Sequence, residues 1–398
     1  MKKLLLLSFS FCSAVIGLSQ QTITSIANGN ASNIFIWDCA CIPTFDDDII
    51  INHKVNLDVD WAVNSGGSVT VGVNGELKQV GLRSVLVDGA SSTFVNNGFT
   101  QINAVGVTNG AQIKNYNHFS ITQGLYVGNG STLINSNLMD GLDSLMTEGD
   151  ANNSGTIYTG NFLNTGNFVS SGHIDCDSIG NSGTFQQTAG SIEGTAIGNS
   201  GTYTLNAGWM HARDNWANIE NFTINANGTL YCDMNLYNGD TLIGGVANLT
   251  NNGAISVGQN FYNFLGLSGS GIICIADESY NSGTIVGTLD ICDNTGNDFD
   301  YNFGSISGTI TYCNSGCQVG VKEIDTEASI YPNPARDIIQ IQSKNNFNHF
   351  TILEATSRIV KQGVLEAGNI SIADLAEGFY ILVLNGIDSN SVIRFEKK

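Results

Sequence analysis

Proline and charged side chains are scarce in this sequence, and their scarcity restricts the fold class. Only 3 of the 398 residues are proline and 13% are charged, whereas 47 are glycine. Long amphipathic helices carry a polar or charged face, so the composition does not support them. Glycine and asparagine tolerate positive φ angles, and the composition therefore predicts short strands joined by tight turns.

Basic residues are the scarcest charges in the middle of the chain. Residues 21–317 contain 5 Lys and Arg against 25 Asp and Glu, a net charge of −20. Such a surface repels phosphate backbones, so nucleic-acid binding is not expected. Divalent cations and neutral glycans suit an acidic surface better.

Long hydrophobic runs are missing except at the N-terminus. Lys2 and Lys3 precede an apolar run from Leu4 to Val15, and the small residues Gly17 and Ser19 follow. This pattern predicts a secretory signal peptide over residues 1–20, because the run is short for a membrane span. We therefore expect an exported chain in which disulfides can form.

One short phrase recurs along the rest of the chain and predicts a solenoid. Asn-Ser-Gly-Thr occurs four times, and each copy is followed by an apolar or aromatic residue: Asn153–Thr156, Asn181–Thr184, Asn199–Thr202 and Asn281–Thr284. Turn signals at irregular intervals are typical of a right-handed parallel β-helix. The tightest intervals, 17 and 18 residues, fit three short strands per turn. We expect about a dozen turns in a rod of around 60 Å.

Two further interpretations belong to this repeat. Asparagines at equivalent turn positions can stack their amides into ladders that stabilise a solenoid without any ligand. A series of antiparallel β-sandwiches is the alternative fold, because residues 69–89 alternate as hairpins do.

Eight cysteines remain after the signal peptide, and an even number in an exported chain favours disulfides over metal binding. The close pairs lack the two-residue spacing of zinc knuckles. Solenoid spacing would stack Cys274, Cys292 and Cys313 on neighbouring turns. The pairing is not fixed by the sequence, so all eight are disulfide candidates: Cys39, Cys41, Cys176, Cys232, Cys274, Cys292, Cys313 and Cys317.

The start of residues 21–317, which we call the passenger, and the segment that follows them have distinct sequences. The first part of the passenger combines Trp37, Pro43, an acidic turn and a strand that ends near His53. This stretch resembles the G8-type start of β-helical surface proteins, and it would cover the apolar end of the first coil. Residues 318–328 are polar and predict a linker.

Residues 329–398 form a separate module with alternating strands and no helical pattern. Two of the three prolines lie in its first strand region, and Gly378 and Tyr380 open a long apolar strand. Its motif residues are Tyr331, Pro332, Asn333, Pro334, Ala335, Gly378, Tyr380, Lys397 and Lys398.

This module resembles the type IX secretion system C-terminal sorting domain, type A. The resemblance implies a small Ig-like β-sandwich that is recognised by the type IX secretion machinery. It also implies passage through the periplasm of a Gram-negative bacterium to the outer cell surface or the medium. The passenger of such a domain can be attached to surface lipopolysaccharide or released.

The best catalytic candidates lie between two tryptophans. His211, Arg213 and Asp214 combine a base, a cation and an acid, as a polysaccharide lyase requires. In the alternative structural interpretation, Trp209 and Trp216 pack on the flank and Arg213 pairs with Asp214.

Asp175 and Asp177 are the second catalytic candidate. They flank Cys176 and would face one side of a strand, as the paired acids of a glycosidase do. Isolated exposed carboxylates are the structural alternative. The Gly-x-Ser-x-Gly, His-Glu-x-x-His and phosphate-loop signatures are absent.

Calcium is the one cofactor that the sequence leaves open. Asp293, Asp298 and Asp300 surround a glycine turn, but their spacing departs from an EF-hand loop. Residues 46–48 form a second acidic turn. The leading prediction is a cofactor-free, adhesin-like or structural exported rod that contacts glycans, and the alternative is a polysaccharide-degrading enzyme on the same scaffold.

Overall fold

A computed structural model describes residues 20–239, 248–296, 299–313, 317, 328–343, 347–354, 359–365, 368–386 and 390–398. The chain divides into two compact units, with the boundary between Cys317 and Gln318. The predicted signal peptide (residues 1–19 of it) and the predicted linker (residues 318–327 of it) lie outside the described residues. In the part of the chain that is described, no helix is long and apolar enough to cross a membrane.

The first unit is a parallel β-solenoid of about 13 turns. Each complete turn contributes one strand to each of three sheets, in the order first, second, third. Successive strands of the first sheet begin 17 to 27 residues apart. The solenoid prediction and the three-strand turn are confirmed.

The first sheet consists of Thr22–Thr24, Asp48–Ile51, Ser68–Val71, Thr93–Asn96, Gln112–Asn115, Thr132–Asn135, Asp150–Asn153, Asn167–Ser170, Thr184–Gln187, the first parts of Thr202–Ala212 and Asn221–Cys232, Asn248–Asn251, Gly266–Gly269, Thr284–Gly287 and Ser305–Gly308.

The second sheet consists of Gly29–Asn30, Lys54–Leu57, Glu76–Gln79, the first parts of Phe99–Thr108, His118–Val127, Leu138–Thr147, Thr156–Asn164, His173–Asn181 and Ser191–Asn199, the last parts of Thr202–Ala212 and Asn221–Cys232, Ala254–Val257, Ile272–Ile275, Asp290–Asp293 and Thr311–Tyr312.

The third sheet consists of Trp61–Val63, Ser84–Asp88, the last parts of the six long strands from Phe99–Thr108 to Ser191–Asn199, and Trp216–Asn218, Leu236–Asn238, Phe261–Asn263, Ser279–Asn281 and Tyr301–Asn302. A short 3-10 helix, Ile34–Ile36, precedes the complete turns.

Alternation of side chains explains why the strands close around one core. Along each strand every second residue points inward, as a period of two requires, and those residues are apolar over most of the rod. Aromatic rings stack inside the first sheet: Phe185 lies 5.0 Å from Phe168 and 4.6 Å from Tyr203. At the N-terminal end, Trp37 is buried and its indole donates to the Ala31 carbonyl at 3.0 Å.

Buried amides form two ladders at the corners of the solenoid. In the third-sheet ladder, Asn181 donates to Asn199 at 2.7 Å and Asn199 donates to Asn218 at 2.8 Å. The first-sheet ladder contains Asn153, which accepts from Asn135 at 2.8 Å. The four copies of the repeated phrase therefore occupy two different corners: Asn153 stands at the first, and Asn181, Asn199 and Asn281 stand at the second.

Glycine is needed where the corners stack closely. A Cβ atom on Gly183 would lie 2.2 Å from the Gly166 carbonyl oxygen, and one on Gly201 would lie 2.3 Å from that of Gly183. These contacts are with backbone, which cannot move aside. The glycine of the repeated phrase therefore permits the turn-to-turn approach.

Three disulfides lie at the ends of the solenoid. Cys39 pairs with Cys41, two residues away. Cys274 pairs with Cys317 and Cys292 with Cys313, although Cys274 and Cys292 are direct neighbours in the second sheet.

The remaining two cysteines of the passenger differ from the prediction. Cys176 and Cys232 have free thiols, and both are buried. They face the core from strands of the second sheet that lie three turns apart, which is too far for a bond.

The second unit consists of two small antiparallel sheets around one core. A three-stranded sheet contains, in spatial order, Ala328–Tyr331, Ile338–Ser343 and Asn369–Ser371. A four-stranded sheet contains Ile359–Val364, Phe347–Glu354, Gly378–Gly386 and Asn390–Lys397. Buried residues such as Ile339 and Ile370 from the first sheet pack with Leu382 and Phe395 from the second. The all-β prediction is confirmed for both units.

Candidate functional site

The predicted catalytic cluster divides between two environments. His211 points outward from the second sheet, and its Nε2 lies 2.8 Å from Asp233 Oδ1 on the next turn. Asp214 lies at the following corner, where its Oδ1 accepts from the side-chain Nδ2 of Asn215 at 2.8 Å. The structure therefore does not bring Asp214 together with His211 or Arg213 as a catalytic set.

Arg213 reaches back along the second sheet and bridges two carboxylates. Its Nη2 donates to Asp175 Oδ1 at 2.6 Å and to Glu193 Oε2 at 2.9 Å. Burial alone would lower the pKa of Arg213, but these hydrogen bonds and charges raise it. The predicted partner, Asp214, is wrong: the guanidinium of Arg213 instead bonds to Glu193 one turn back and Asp175 two turns back.

The tryptophans around this cluster are part of the regular coil. Trp209 stands in a strand of the second sheet and is partly exposed, whereas Trp216 is fully buried in the core. The interpretation of this stretch as an insertion that packs on the flank is therefore wrong.

Asp175 and Asp177 do line one groove, an open depression of about 450 Å³ on the second sheet. Tyr158 and Arg213 also border it. Burial raises the pKa of Tyr158, and the carboxylates of Asp175 and Glu193 raise it further. In this groove Asp175 is already the partner of Arg213, so the two acids differ in their surroundings.

Two further histidines lie on the same sheet. His118 Nε2 lies 2.9 Å from Asp140 Oδ2. Burial alone would raise the pKa of Asp140, but the hydrogen bond and charge of His118 and the hydrogen bond of Ser120 lower it. His173 Nδ1 lies 2.7 Å from Ser191 Oγ, and burial lowers the pKa of His173. Each histidine thus has a fixed polar neighbour.

The buried thiols are poor nucleophile candidates. Burial, followed by the charge of Asp175, raises the pKa of Cys176 to about 12. Burial also raises the pKa of Cys232 to about 12. A nucleophilic cysteine requires a thiolate, so neither side chain fits that role at neutral pH.

The two acidic turns differ in how well their oxygens are satisfied. In the N-terminal turn, Asp47 accepts from the Thr44 amide and hydroxyl at 2.7 Å each, and Asp48 accepts from Gln20 and Ser68. In the C-terminal turn, Asp293 and Asp300 meet around Thr295, and Asp298 lies outside the described residues. No cluster of three or more His, Cys, Asp or Glu suited to a metal occurs in the described ranges.

A row of aromatic rings, partly exposed over most of its length and exposed at Tyr301 and Phe303, runs along the third sheet and was missed by sequence reasoning. We name it the aromatic row; it consists of Tyr237, Tyr262, Tyr280, Tyr301, Phe264 and Phe303. The four tyrosines occupy one register position on four successive turns.

Five rings of the aromatic row are in mutual contact: Tyr237, Tyr262, Phe264, Tyr280 and Phe303. Tyr237 and Tyr262 stack in parallel at 5.0 Å, and Tyr262 lies 6.3 Å from Tyr280. Phe303 is 72% exposed and lies 5.6 Å from Tyr280. A usable sequence signal existed, because each tyrosine directly precedes a ladder asparagine in a Tyr-Asn pair: Tyr237–Asn238, Tyr262–Asn263, Tyr280–Asn281 and Tyr301–Asn302.

The predicted sorting motif lies along one edge of the C-terminal sandwich. The Asn333 side chain accepts from the Glu396 amide at 2.9 Å and donates to the Arg394 carbonyl at 3.2 Å. Ala335 is buried and pairs with Lys397, and the Lys398 amide donates to its carbonyl at 2.8 Å.

The remaining motif residues belong to the four-stranded sheet and its approach. Tyr380 is buried, donates to the Ala376 carbonyl at 2.9 Å, and stacks on Phe395. Gly378 begins the same strand. Tyr331, which ends the first strand of the other sheet, is half exposed.

These features define an all-β chain in which a long solenoid is followed by a small sandwich. Residues 329–397 match the family model of the secretion system C-terminal sorting domain. The sandwich therefore belongs to this family, which confirms the resemblance. The domain implies export to the cell surface or the medium and interaction with the type IX secretion machinery. Comparisons with curated proteins and with solved structures give no match.

Proposed function

We propose that the solenoid is an adhesin-like module that binds a neutral polysaccharide chain along its third sheet. The observation that supports this proposal is the aromatic row, in which four tyrosines recur at one position on successive turns. Aromatic rings offer large apolar faces at a small loss of side-chain entropy, and the tyrosine hydroxyl adds a polar contact. The C–H faces of sugar rings are complementary to such surfaces.

The charge around the row favours an uncharged or cationic ligand. The six members of the row are all uncharged. Burial, then Tyr237, Glu278 and Asp277 raise the pKa of Tyr262, so acidic groups lie close to it. Anionic polysaccharides would be repelled by these carboxylates and by the acidic passenger as a whole.

The test is affinity electrophoresis of the full chain in gels that contain neutral glucans, mannans or xylans, with a polyuronate gel as comparison. Tyr262 is the central target because it contacts both Tyr237 and Tyr280. Tyr262→Ala should weaken binding by about tenfold, as loss of a central aromatic anchor does.

The matched control is Tyr116→Ala. Tyr116 is 46% exposed and lies outside the third sheet, so its removal should leave retardation unchanged. The proposal fails if no neutral polysaccharide retards the wild-type chain, or if the two variants bind equally well.

A polysaccharide-degrading enzyme is the competing function, and the geometry of Arg213 argues for a structural role instead. Its guanidinium is already bonded to two carboxylates, and a lyase would need it, or a neighbour, free to meet the substrate. Incubation with uronic-acid and neutral polysaccharides separates the two functions. Unsaturated products or new reducing ends that Arg213→Ala abolishes would establish the enzyme.

We also propose that the sorting domain directs the chain through the periplasm and across the outer membrane of a Gram-negative cell. The match over residues 329–397 supports this route. Deletion of residues 329–398 should retain the solenoid in the periplasm, as measured by fractionation. Normal display of the truncated chain at the surface would contradict the proposal.

A further inference from the structure

Asp293, Thr295 and Asp300 lie together and carry more negative charge than their hydrogen bonds can satisfy. Thr295 Oγ1 lies 2.7 Å from Asp293 Oδ1, 2.8 Å from Asp300 Oδ1 and 2.9 Å from Asp300 Oδ2. A threonine hydroxyl carries one proton and donates one hydrogen bond. The hydroxyl proton can therefore lie in only one of these three contacts at a time, and the other two bring oxygen atoms together without a proton between them.

The second carboxylate oxygen of Asp293 adds to this excess of acceptor oxygens over donors. Asp293 is 97% buried, with an exposed fraction of 3%, and its Oδ2 is buried without a hydrogen-bond partner. A buried, unpartnered carboxylate oxygen is strongly unfavourable. The ion pairs of the described residues do not include either Asp293 or Asp300.

The rest of the turn holds these carboxylates in place. Asp293 ends a strand of the second sheet, directly after the disulfide-bonded Cys292. Its Oδ1 also accepts from the Thr295 amide at 2.9 Å. Asp300 Oδ2 accepts from the Ser279 amide at 3.0 Å on the preceding turn. The oxygens are therefore positioned by two turns of the solenoid.

From this geometry we propose that a divalent cation, Ca²⁺, binds between Asp293, Thr295 and Asp300. Ca²⁺ takes carboxylate, hydroxyl, carbonyl and water oxygens in flexible geometry, which matches the three side chains. The ion would bind Asp293 Oδ2 and neutralise the two carboxylates. It would also link Asp293 to Asp300, beside the disulfide Cys292–Cys313.

The N-terminal acidic turn is also acidic, but the oxygens of its buried carboxylate are satisfied by hydrogen bonds. There the Thr44 hydroxyl also lies between two carboxylates, those of Asp46 and Asp47, but Asp47 Oδ2 accepts from the Thr44 backbone amide at 2.7 Å and Oδ1 accepts from the Gln21 backbone amide at 3.3 Å. Both oxygens of that buried carboxylate have donors. We therefore assign the ion to the C-terminal turn and not to the N-terminal one.

The test uses Tb³⁺ luminescence and thermal unfolding of the full chain. Tyr301 directly follows Asp300, so tyrosine excitation should sensitise bound Tb³⁺, and Ca²⁺ should displace it. The wild-type chain should unfold at a higher temperature in millimolar CaCl₂ than in EDTA, since a ligand that binds only the native state stabilises it.

Asp293→Asn is the decisive variant. It should bind Ca²⁺ at least about tenfold more weakly, because the number of charged ligands sets the affinity. In EDTA it should unfold at or above the wild-type temperature, because it removes a buried unpaired charge. This second readout separates loss of the ion from a general loss of fold.

Asp150→Asn is the matched control, since Asp150 is exposed on the first sheet and, among the residues that the structure describes, its side chain accepts from Asn167 alone. It should keep both the Tb³⁺ signal and the Ca²⁺-dependent shift. The proposal is overturned if the wild type gives neither signal. It is also overturned if Asp293→Asn keeps the wild-type Ca²⁺ affinity.

Discussion

Asn199 is the position where the contribution of the amide ladder can be measured most directly. Its Nδ2 donates to Asn218 Oδ1 at 2.8 Å, to the Asn221 carbonyl at 3.0 Å and to the Gly201 carbonyl at 3.1 Å. Its Oδ1 accepts from Asn181 Nδ2 at 2.7 Å. One side chain therefore connects three consecutive turns.

Asn199→Ala should lower the free energy of unfolding by about 2 kcal/mol. The change leaves Asn218 Oδ1 without the donor Asn199, and such a loss costs about 1–3 kcal/mol per buried group, whereas Asn181 Nδ2 keeps the Gly183 and Thr202 carbonyls as acceptors. Asn218 is fully buried, so bulk water does not replace the bond. Asn302, at the exposed end of the ladder, accepts from Asn281 and makes no other side-chain bond within the described part of the chain, so Asn302→Ala should cost less than about 1 kcal/mol.

Urea unfolding followed by tryptophan fluorescence measures the difference, since Trp216 is buried two residues before Asn218. Repeat proteins can unfold in parts, so hydrogen exchange of the adjacent turns should accompany it. Local protection should fall most around residues 181–221. If Asn199→Ala and Asn302→Ala destabilise the chain equally, the ladder does not stabilise the solenoid in the way argued.

Asn199→Asp tests the direction of the hydrogen bonds. An ionised carboxylate would face Asn218 Oδ1 and two backbone carbonyls, all acceptors, so its folded pKa should rise above the ordinary value of about 3.9. The folded variant then binds more protons than the unfolded chain above that pH. Its stability should therefore decrease as the pH rises from about 4, a trend that Asn199→Ala should not show.

Two other side-chain environments give further predictions. The pKa of Asp140 is lowered from 3.8 in the folded state, so its stabilising contribution is present above that pH and is lost as the pH falls through the lower folded value. Asp140→Asn should be less stable than wild type at neutral pH, and urea titrations should show the difference vanish in acid. Iodoacetamide should modify Cys176 and Cys232 only after unfolding, because burial raises both pKa values to about 12. Peptide mass spectrometry under native conditions would contradict this if either thiol were labelled.

Much of the architecture follows from local chemistry that a sequence displays. A polar corner followed by alternating apolar residues specifies a strand with one buried side, and its recurrence specifies a solenoid. The repeated Asn-Ser-Gly-Thr phrase does not predict which corner it will form, because both corners contain an asparagine ladder. Asn153 and Asn181 therefore share a phrase but occupy different ladders.

Contacts across turns could not be predicted with the same success. Arg213 bonds to Glu193 and Asp175, which are 20 and 38 residues away, because variable turn lengths hide which residues stack. The disulfide pairing could not be predicted for a related reason. Cys274 and Cys292 stack as expected, yet each bonds to the segment after the last strands, and sequence spacing does not reveal where that segment returns.

The solenoid fold does not require aromatic residues at the positions of the aromatic row. Inward positions must be apolar to fill the core, and corner positions must carry asparagine or small residues to stack. Outward positions neither fill the core nor have to permit close stacking of the corners. On earlier turns of the third sheet they hold residues as different as Gly106, Met146 and Leu163. Four successive tyrosines at one such position are therefore not explained by the solenoid itself. A surface that is aromatic without structural need is best explained by what it contacts, and this is why the third sheet, and not the charged second sheet, is the first place to look for a ligand.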